Sequence, residues 1–203
     1  IKAEAPGPTV DKITPKITET AKILWLTYLA FTGAEVLLLL GGGMDLFDAL
    51  THTFGTLATG GFSPKNASVG HFDSAYIDSV VTLFMVMAGI NFALYYKLIT
   101  GRLMSIRRDT ELKAYLTFFV VSTVVITISL HGEAYASVGE SLRYAAFQAA
   151  SILTTTGYAT ADFAAWPAVA QIMLFALMFI GGSAGSTGGG IKVIRIVTLF
   201  KQG

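Results

Sequence analysis

The sequence predicts an all-α membrane protein of two repeats. Each repeat is a transmembrane helix, a re-entrant half helix, an extended strand and a second transmembrane helix. Three observations carry this. Of 203 residues, 53% are hydrophobic and 13% charged, where soluble domains carry about 25% charged residues, and mean hydropathy is +0.63. Four runs approach the roughly 20 apolar residues that cross a hydrocarbon core of about 30 Å. Within each pair of runs lies a moderately apolar stretch too short to span, and each such stretch stops at a Thr-Gly step.

The first run covers residues 21–40 and carries one carboxylate, Glu35, an intramembrane group with either an ion-handling or a helix-bonding role. Residues 45–57 form the first half helix, with Asp45 and Asp48 at the end where a helix dipole favours negative charge. The Thr59-Gly60 step follows, and the second run covers 75–100 as one span. Residues 101–113 are a basic loop, and 114–130 the third run. The second half helix is 141–153, with Glu140 at its start and Thr156-Gly157 after it. The fourth run begins near Pro167 and meets a tract at 181–190 in which six of ten residues are glycine.

Aligning the two Thr-Gly steps, 97 residues apart, pairs Phe47 with Tyr144 and Ala49 with Ala146. The internal repeat divides the chain into a segment 1–20, a repeat 21–100, the loop 101–113 and a repeat 114–203. Charge orients it. Lys2, Lys12, Lys16 and Lys22 precede the first run; Arg102, Arg107, Arg108 and Lys113 join the second and third; Lys192, Arg195 and Lys201 end the chain. The half-helix connectors carry six carboxylates but only Lys65 and Arg143 as basic residues. The positive-inside rule therefore puts the basic segments in the cytosol and brings both half helices in from outside.

Several chemistries are excluded. There is no cysteine, and His52, His71 and His131 have no metal-ligand spacing. A net charge of +1 gives no support for nucleic-acid binding. Gly181-Gly182-Ser183-Ala184-Gly185 matches a nucleophile elbow, but an apolar helix precedes it and no histidine follows. Gly185 to Lys192 fails as a phosphate loop, because Ile191 separates Gly190 from Lys192. No acid–base constellation marks an enzyme.

A half helix entering from outside aims its partially negative C-terminus at the membrane centre, a place that favours a cation. The segments that follow, Ala58-Thr59-Gly60-Gly61-Phe62 and Thr155-Thr156-Gly157-Tyr158-Ala159, resemble the TVGYG filter strand of potassium channels. Such a strand turns a row of carbonyls toward one axis, and glycine serves where the backbone excludes a Cβ. The tract Gly181, Gly182, Ser183, Ala184, Gly185, Ser186, Thr187, Gly188, Gly189, Gly190 has two readings. Small-residue spacing suits close helix packing. The clustered hydroxyls fit better a non-helical loop in a water-filled cavity at membrane depth.

The segments AEAPGPTVDK (3–12), TLATGGFSPKNAS (56–68), MAGINFALYY (87–96), TTTGYATADF (154–163) and GSAGSTGGGIKVIRI (182–196) resemble, in order, the Trk/Ktr/HKT superfamily of potassium transporters, closely its bacterial TrkH type. Members have four helix–pore helix–helix repeats around one pore, and this chain looks like repeats two and three. The resemblance implies that carbonyls of Ala58, Thr59, Gly60 and Gly61 form one filter wall and those of Thr155, Thr156, Gly157 and Tyr158 an adjacent one. It implies potassium as the transported ion, no organic cofactor, and residues 181–190 with Lys192 as an intramembrane gating loop beneath the filter. Glycine at both 60 and 157 leans toward potassium over sodium. Further expectations are membrane lipid, the remaining repeats, a homodimer and a cytosolic nucleotide-binding regulatory subunit of TrkA type as partners. The location implied is the inner (plasma) membrane, multi-pass. Two alternatives stand beside this: a tandem two-span potassium channel, with a hinge glycine in both inner helices, and a sodium-permeable member of the same superfamily. Aligned at the filter, residues 89–97 lie opposite the tract with one glycine, an asymmetry that predicts one specialised gate.

Overall fold

In a computed structural model, residues 17–202 are described; the motif at 3–12 and most of the segment 1–20 lie outside them. Among the described residues the regular structure is helical. Helix α1 (Ile17–Gly41) is 25 residues long, about 37 Å at 1.5 Å per residue, enough to span. Its outer face keeps Trp25, Leu29 and Leu37 exposed, as a lipid-facing helix would. A turn at Gly42-Gly43 leads to the half helix α2 (Leu46–Leu57), which starts where Asp45 accepts the Asp48 amide at 2.7 Å. The chain leaves α2 through a non-helical segment beginning at Ala58, passes a short 3-10 turn (Ser68–Phe72), and enters α3 (Ala75–Ala88) under a Ser74 cap.

The run expected as one span over 75–100 is broken. Helix α3 stops at Ala88 and α4 (Phe92–Ile99) leaves at 94° to it. The cause is local: Asn91 turns its side chain back to accept the Ala93 amide at 2.9 Å, a new helix N-cap inside an apolar run. Both repeats therefore have an interrupted second helix, by residues 89–91 in the first and by a longer stretch that includes 181–190 in the second. The basic loop 101–113 is also not plain loop, since it contains α5 (Leu103–Arg107) and the start of the next helix.

Helix α6 (Thr110–Leu130) is the second uninterrupted span, capped by Asp109. The half helix α7 (Val138–Leu153) begins three residues before the expected 141. Helix α8 (Ala168–Leu177) is only 10 residues long, and α9 (Val193–Gln202) resumes after the glycine tract. Two apolar cores result. One joins α1, α2 and α3 and takes in Phe147 and Tyr158 from the other repeat; the second joins α6, α7, α8 and Val193.

Candidate functional site

The two strands after the half helices share one backbone geometry. Ala58 and Thr154 are the residues that end α2 and α7. Next come two threonines in the left-handed region, Thr59 (φ 52°) and Thr155 (φ 61°), a conformation uncommon for anything but glycine. Two residues on are Gly61 (φ 65°) and Gly157 (φ 91°). The amides of Gly60 and Gly61 both donate to the Gly55 carbonyl, at 2.8 and 3.2 Å, and those of Thr156 and Gly157 both donate to Ser151, at 2.9 and 3.3 Å. Every pairing has a spacing of 96 residues, not the 97 expected from the Thr-Gly dipeptides. Two adjacent glycines in the first strand hid the register.

By backbone geometry the residues equivalent to Ala58, Thr59, Gly60 and Gly61 are therefore Thr154, Thr155, Thr156 and Gly157, one position before the expected Thr155–Tyr158. Tyr158 takes another part. Its carbonyl accepts the Ser151 hydroxyl at 2.6 Å, and its phenol reaches the carbonyls of His52 at 2.9 Å and Phe62 at 3.3 Å in the other repeat. Among the described residues the carbonyls of Thr59, Gly60, Gly61, Thr155, Thr156 and Gly157 accept no hydrogen bond. With strand amides turned back onto the half helices, these carbonyls remain available as ligands for a cation. The strands touch backbone to backbone: a Cβ on Gly61 would lie 2.0 Å from the Thr156 oxygen.

The neighbouring polar groups brace the half helices. His52 bonds the Asp48 carbonyl at 2.7 Å and the Ser63 hydroxyl at 2.9 Å, so its ring is committed inside the fold. Gln148, at the position equivalent to His52, reaches the Ala161 carbonyl at 3.3 Å. The two basic residues of the connectors are paired, Lys65 with Asp48 at 2.9 Å and Arg143 with Asp78 at 2.7 Å. Glu35 is fully buried, and neither of its oxygens finds a hydrogen-bond partner among the described residues.

Residues 181–190 are not helical, so the tract is a loop and not a packed helix. The Gly181 amide donates to the Ile191 carbonyl at 2.8 Å, pinching the ends of the loop together. A Cβ on Gly181 would lie 1.9 Å from the Gly189 oxygen, so this closure needs glycine there. The loop then reaches three neighbours. It docks into the break between α3 and α4, with Ser183 N donating to Gly89 O at 2.9 Å, Thr187 Oγ1 to Ala88 O at 3.1 Å, and Phe92 N to Gly185 O at 3.1 Å. It meets both strands at equivalent residues: Thr59 donates its hydroxyl to Thr187 O at 2.9 Å, and Thr155 Oγ1 accepts from Gly189 N at 2.7 Å. The third neighbour is Glu111, whose Oε1 accepts from the amides of Ala184 and Ile194. Lys192 lies in the same assembly and donates to the Gly188 carbonyl.

Sequence reasoning thus placed the loop beside the strands but missed Glu111 and the Gly89–Asn91 break. A signal for the break existed: an asparagine inside an apolar run, four residues before a tyrosine pair, is a helix-restart residue as much as a bonding one. Glu111 carried none, because an acidic residue in the first turn of a helix needs no tertiary partner to explain it.

A family model described as TrkH, cation transport protein, matches residues 2–203. The Trk system potassium uptake protein TrkH of Escherichia coli (strain K12) is 44% identical over 205 residues, covering 100% of this chain and 42% of the relative. The Trk system potassium uptake protein TrkG of the same organism is 35% identical, covering 99% of this chain and 42% of the relative. Among solved structures, the crystal structure of the potassium transporter TrkH from Vibrio parahaemolyticus matches with a TM-score of 0.87 and 40% identity, over 95% of this chain and 42% of that one. The chain spans well under half the length of these relatives.

Proposed function

The chain belongs to the TrkH family of cation transport proteins, and from that premise we propose that its two strands line part of a potassium uptake pathway and that residues 181–190 gate it from below. The observation that carries the reading is the paired geometry: two strands with free carbonyls, equivalent at 96 residues, are both hydrogen-bonded at their lower threonines to one loop. Potassium would exchange its water for oxygen dipoles, which bind a large monovalent ion without holding it. The half-helix C-termini behind the strands add partial negative charge. Membership of this family replaces the tandem two-span channel. Sodium permeation stays as the alternative.

In this reading the loop closes the pathway by lying across it, held against the strands and the α3–α4 break by neutral hydrogen bonds of about 1 kcal/mol each. Individually weak bonds suit a part that must let go. The remaining filter walls would come from further repeats, the basic segments would face the cytosol across the inner membrane, and a homodimer with a nucleotide-binding regulatory subunit would complete the assembly.

The test uses the full-length protein in proteoliposomes. Shortening the loop within 183–189 should raise rubidium influx measured without any regulator by about tenfold or more, the factor corresponding to about 1.4 kcal/mol of lost closure. Unchanged influx would remove the gate. Replacing Gly157 by serine should reduce the preference for rubidium over sodium, and a variant that still discriminates as before would remove the filter. A sodium influx equal to that of rubidium in the unaltered protein would favour the alternative.

A further inference from the structure

Glu111 stands apart from the other groups that hold the loop. Among the described residues it is the only carboxylate that hydrogen-bonds the loop, and it comes from a different element than the strands or the α3–α4 break. One oxygen, Oε1, accepts the Ala184 amide at 2.7 Å and the Ile194 amide at 3.1 Å. Ala184 lies within the glycine tract. Ile194 is in the first turn of α9, where backbone amides have no partner within the helix. A single anion therefore caps α9 from outside and grips the loop ten residues upstream. The tract contributes few side chains of its own to fix its course, so its position must be set by what it touches. Bonds to a charged acceptor are roughly twice as strong as the neutral ones elsewhere along it.

The placement of Glu111 gives this grip a direction. It sits in the first turn of α6, two residues after the Asp109 cap, and α5 with the exposed Arg102, Arg107 and Arg108 immediately precedes it. Asp109 serves its own helix, accepting the Leu112 amide at 2.8 Å. Glu111 points away from that work and into the loop.

We propose that the Glu111 carboxylate is the positioning group that clasps residues 181–190 in place by tying the loop to the start of α9. Displacement of the α6 N-terminus, by anything acting on the α5 segment, pulls the acceptor from both amides at once and frees the loop. The clasp itself rests on geometry alone. Its consequence for ion flow rests on the gate reading above.

The test compares Glu111→Ala, Glu111→Gln and Asp109→Asn in the full-length protein, by amide hydrogen exchange over peptides covering 182–196 and by rubidium influx. Glu111→Ala should accelerate exchange in that segment by about 10- to 100-fold, the loss expected for bonds to a charged acceptor. Glu111→Gln keeps the shape and a neutral acceptor, so it should accelerate exchange about 3- to 10-fold, and it decides the matter if the alanine variant does not fold. Asp109→Asn weakens the same helix end and should leave the loop peptides unchanged. The proposal is overturned if Glu111→Gln leaves exchange over 182–196 at the wild-type rate, or if Asp109→Asn accelerates it equally. Faster exchange with raised influx supports both clasp and gate. Faster exchange with unchanged influx supports the clasp and removes the gate.

Discussion

A Gly61→Ala protein is expected to lose rubidium uptake, while Gly60→Ala retains most of it. The two positions are neighbours in sequence and opposite in environment. A Cβ at 61 would lie 2.0 Å from the Thr156 oxygen, 2.8 Å from its carbonyl carbon and 3.1 Å from the Gly157 carbonyl carbon. All three are backbone atoms of the facing strand, so no rotamer change relieves the overlap. Gly61 also has φ of 65°, which costs a residue with a side chain about 1–2 kcal/mol before any contact is counted. Relief requires the strands to separate, and separated strands no longer present carbonyls at one spacing. At Gly60 the nearest atom to a new Cβ is in the Phe62 ring at 3.4 Å, an ordinary contact with a side chain that is itself 82% exposed. Gly157 falls between: its φ is 91°, but a Cβ there meets nothing within 4 Å. Alanine at 61, 157 and 60 should therefore damage uptake in that descending order, measured on full-length protein at matched membrane abundance. A Gly60→Ala protein worse than Gly61→Ala would restore the 97-residue register.

That series also shows where sequence reasoning stopped. The half helices were legible because a short apolar stretch with an acidic start and a Thr-Gly end has few other readings, and α2 begins within one residue of its expected boundary. The register was not, because a repeated glycine permits two alignments and only φ angles and amide partners distinguish them. The loop was legible from its composition, since glycine and small hydroxyl residues cannot sustain an apolar helix. What it leans on was not. Its contacts run to Ala88 and Gly89 about 100 residues earlier, and to Thr59, Thr155 and Glu111 on three other elements. Each of those residues has an adequate local explanation, and a local explanation conceals a distant partner. Fully buried Glu35 remains the reverse case: legible as unusual from sequence, and without a hydrogen-bond partner among the described residues.

Arg143→Met should destabilise the full-length protein more than any substitution at the exposed basic residues of α5, by about 3–5 kcal/mol, the cost of leaving a buried charge without its partner. The charge in question is Asp78 on α3, whose side chain is 2% exposed. Arg143 on α7 donates its Nε to Asp78 Oδ2 at 2.7 Å, has a second nitrogen 3.5 Å from Asp73, and lies over the Tyr144 ring at 5.1 Å. The other Asp78 oxygen has no partner among the described residues, so the guanidinium is what compensates it. The pair joins the second helix of one repeat to the half helix of the next, and its loss weakens the fold where the two strands must stay in register. Removing the acid costs less. After Asp78→Asn the arginine, whose side chain is 21% exposed, still reaches Asp73 and water. Replacing both members with leucine and methionine should recover much of the loss, because two uncharged groups of similar volume carry no desolvation penalty. Thermal unfolding of the detergent-solubilised protein should therefore rank Arg143→Met below Asp78→Asn, with the double variant above the sum of the two. Equal losses from the single substitutions would mean that solvent reaches Asp78 and that the pair does not lock the repeats together.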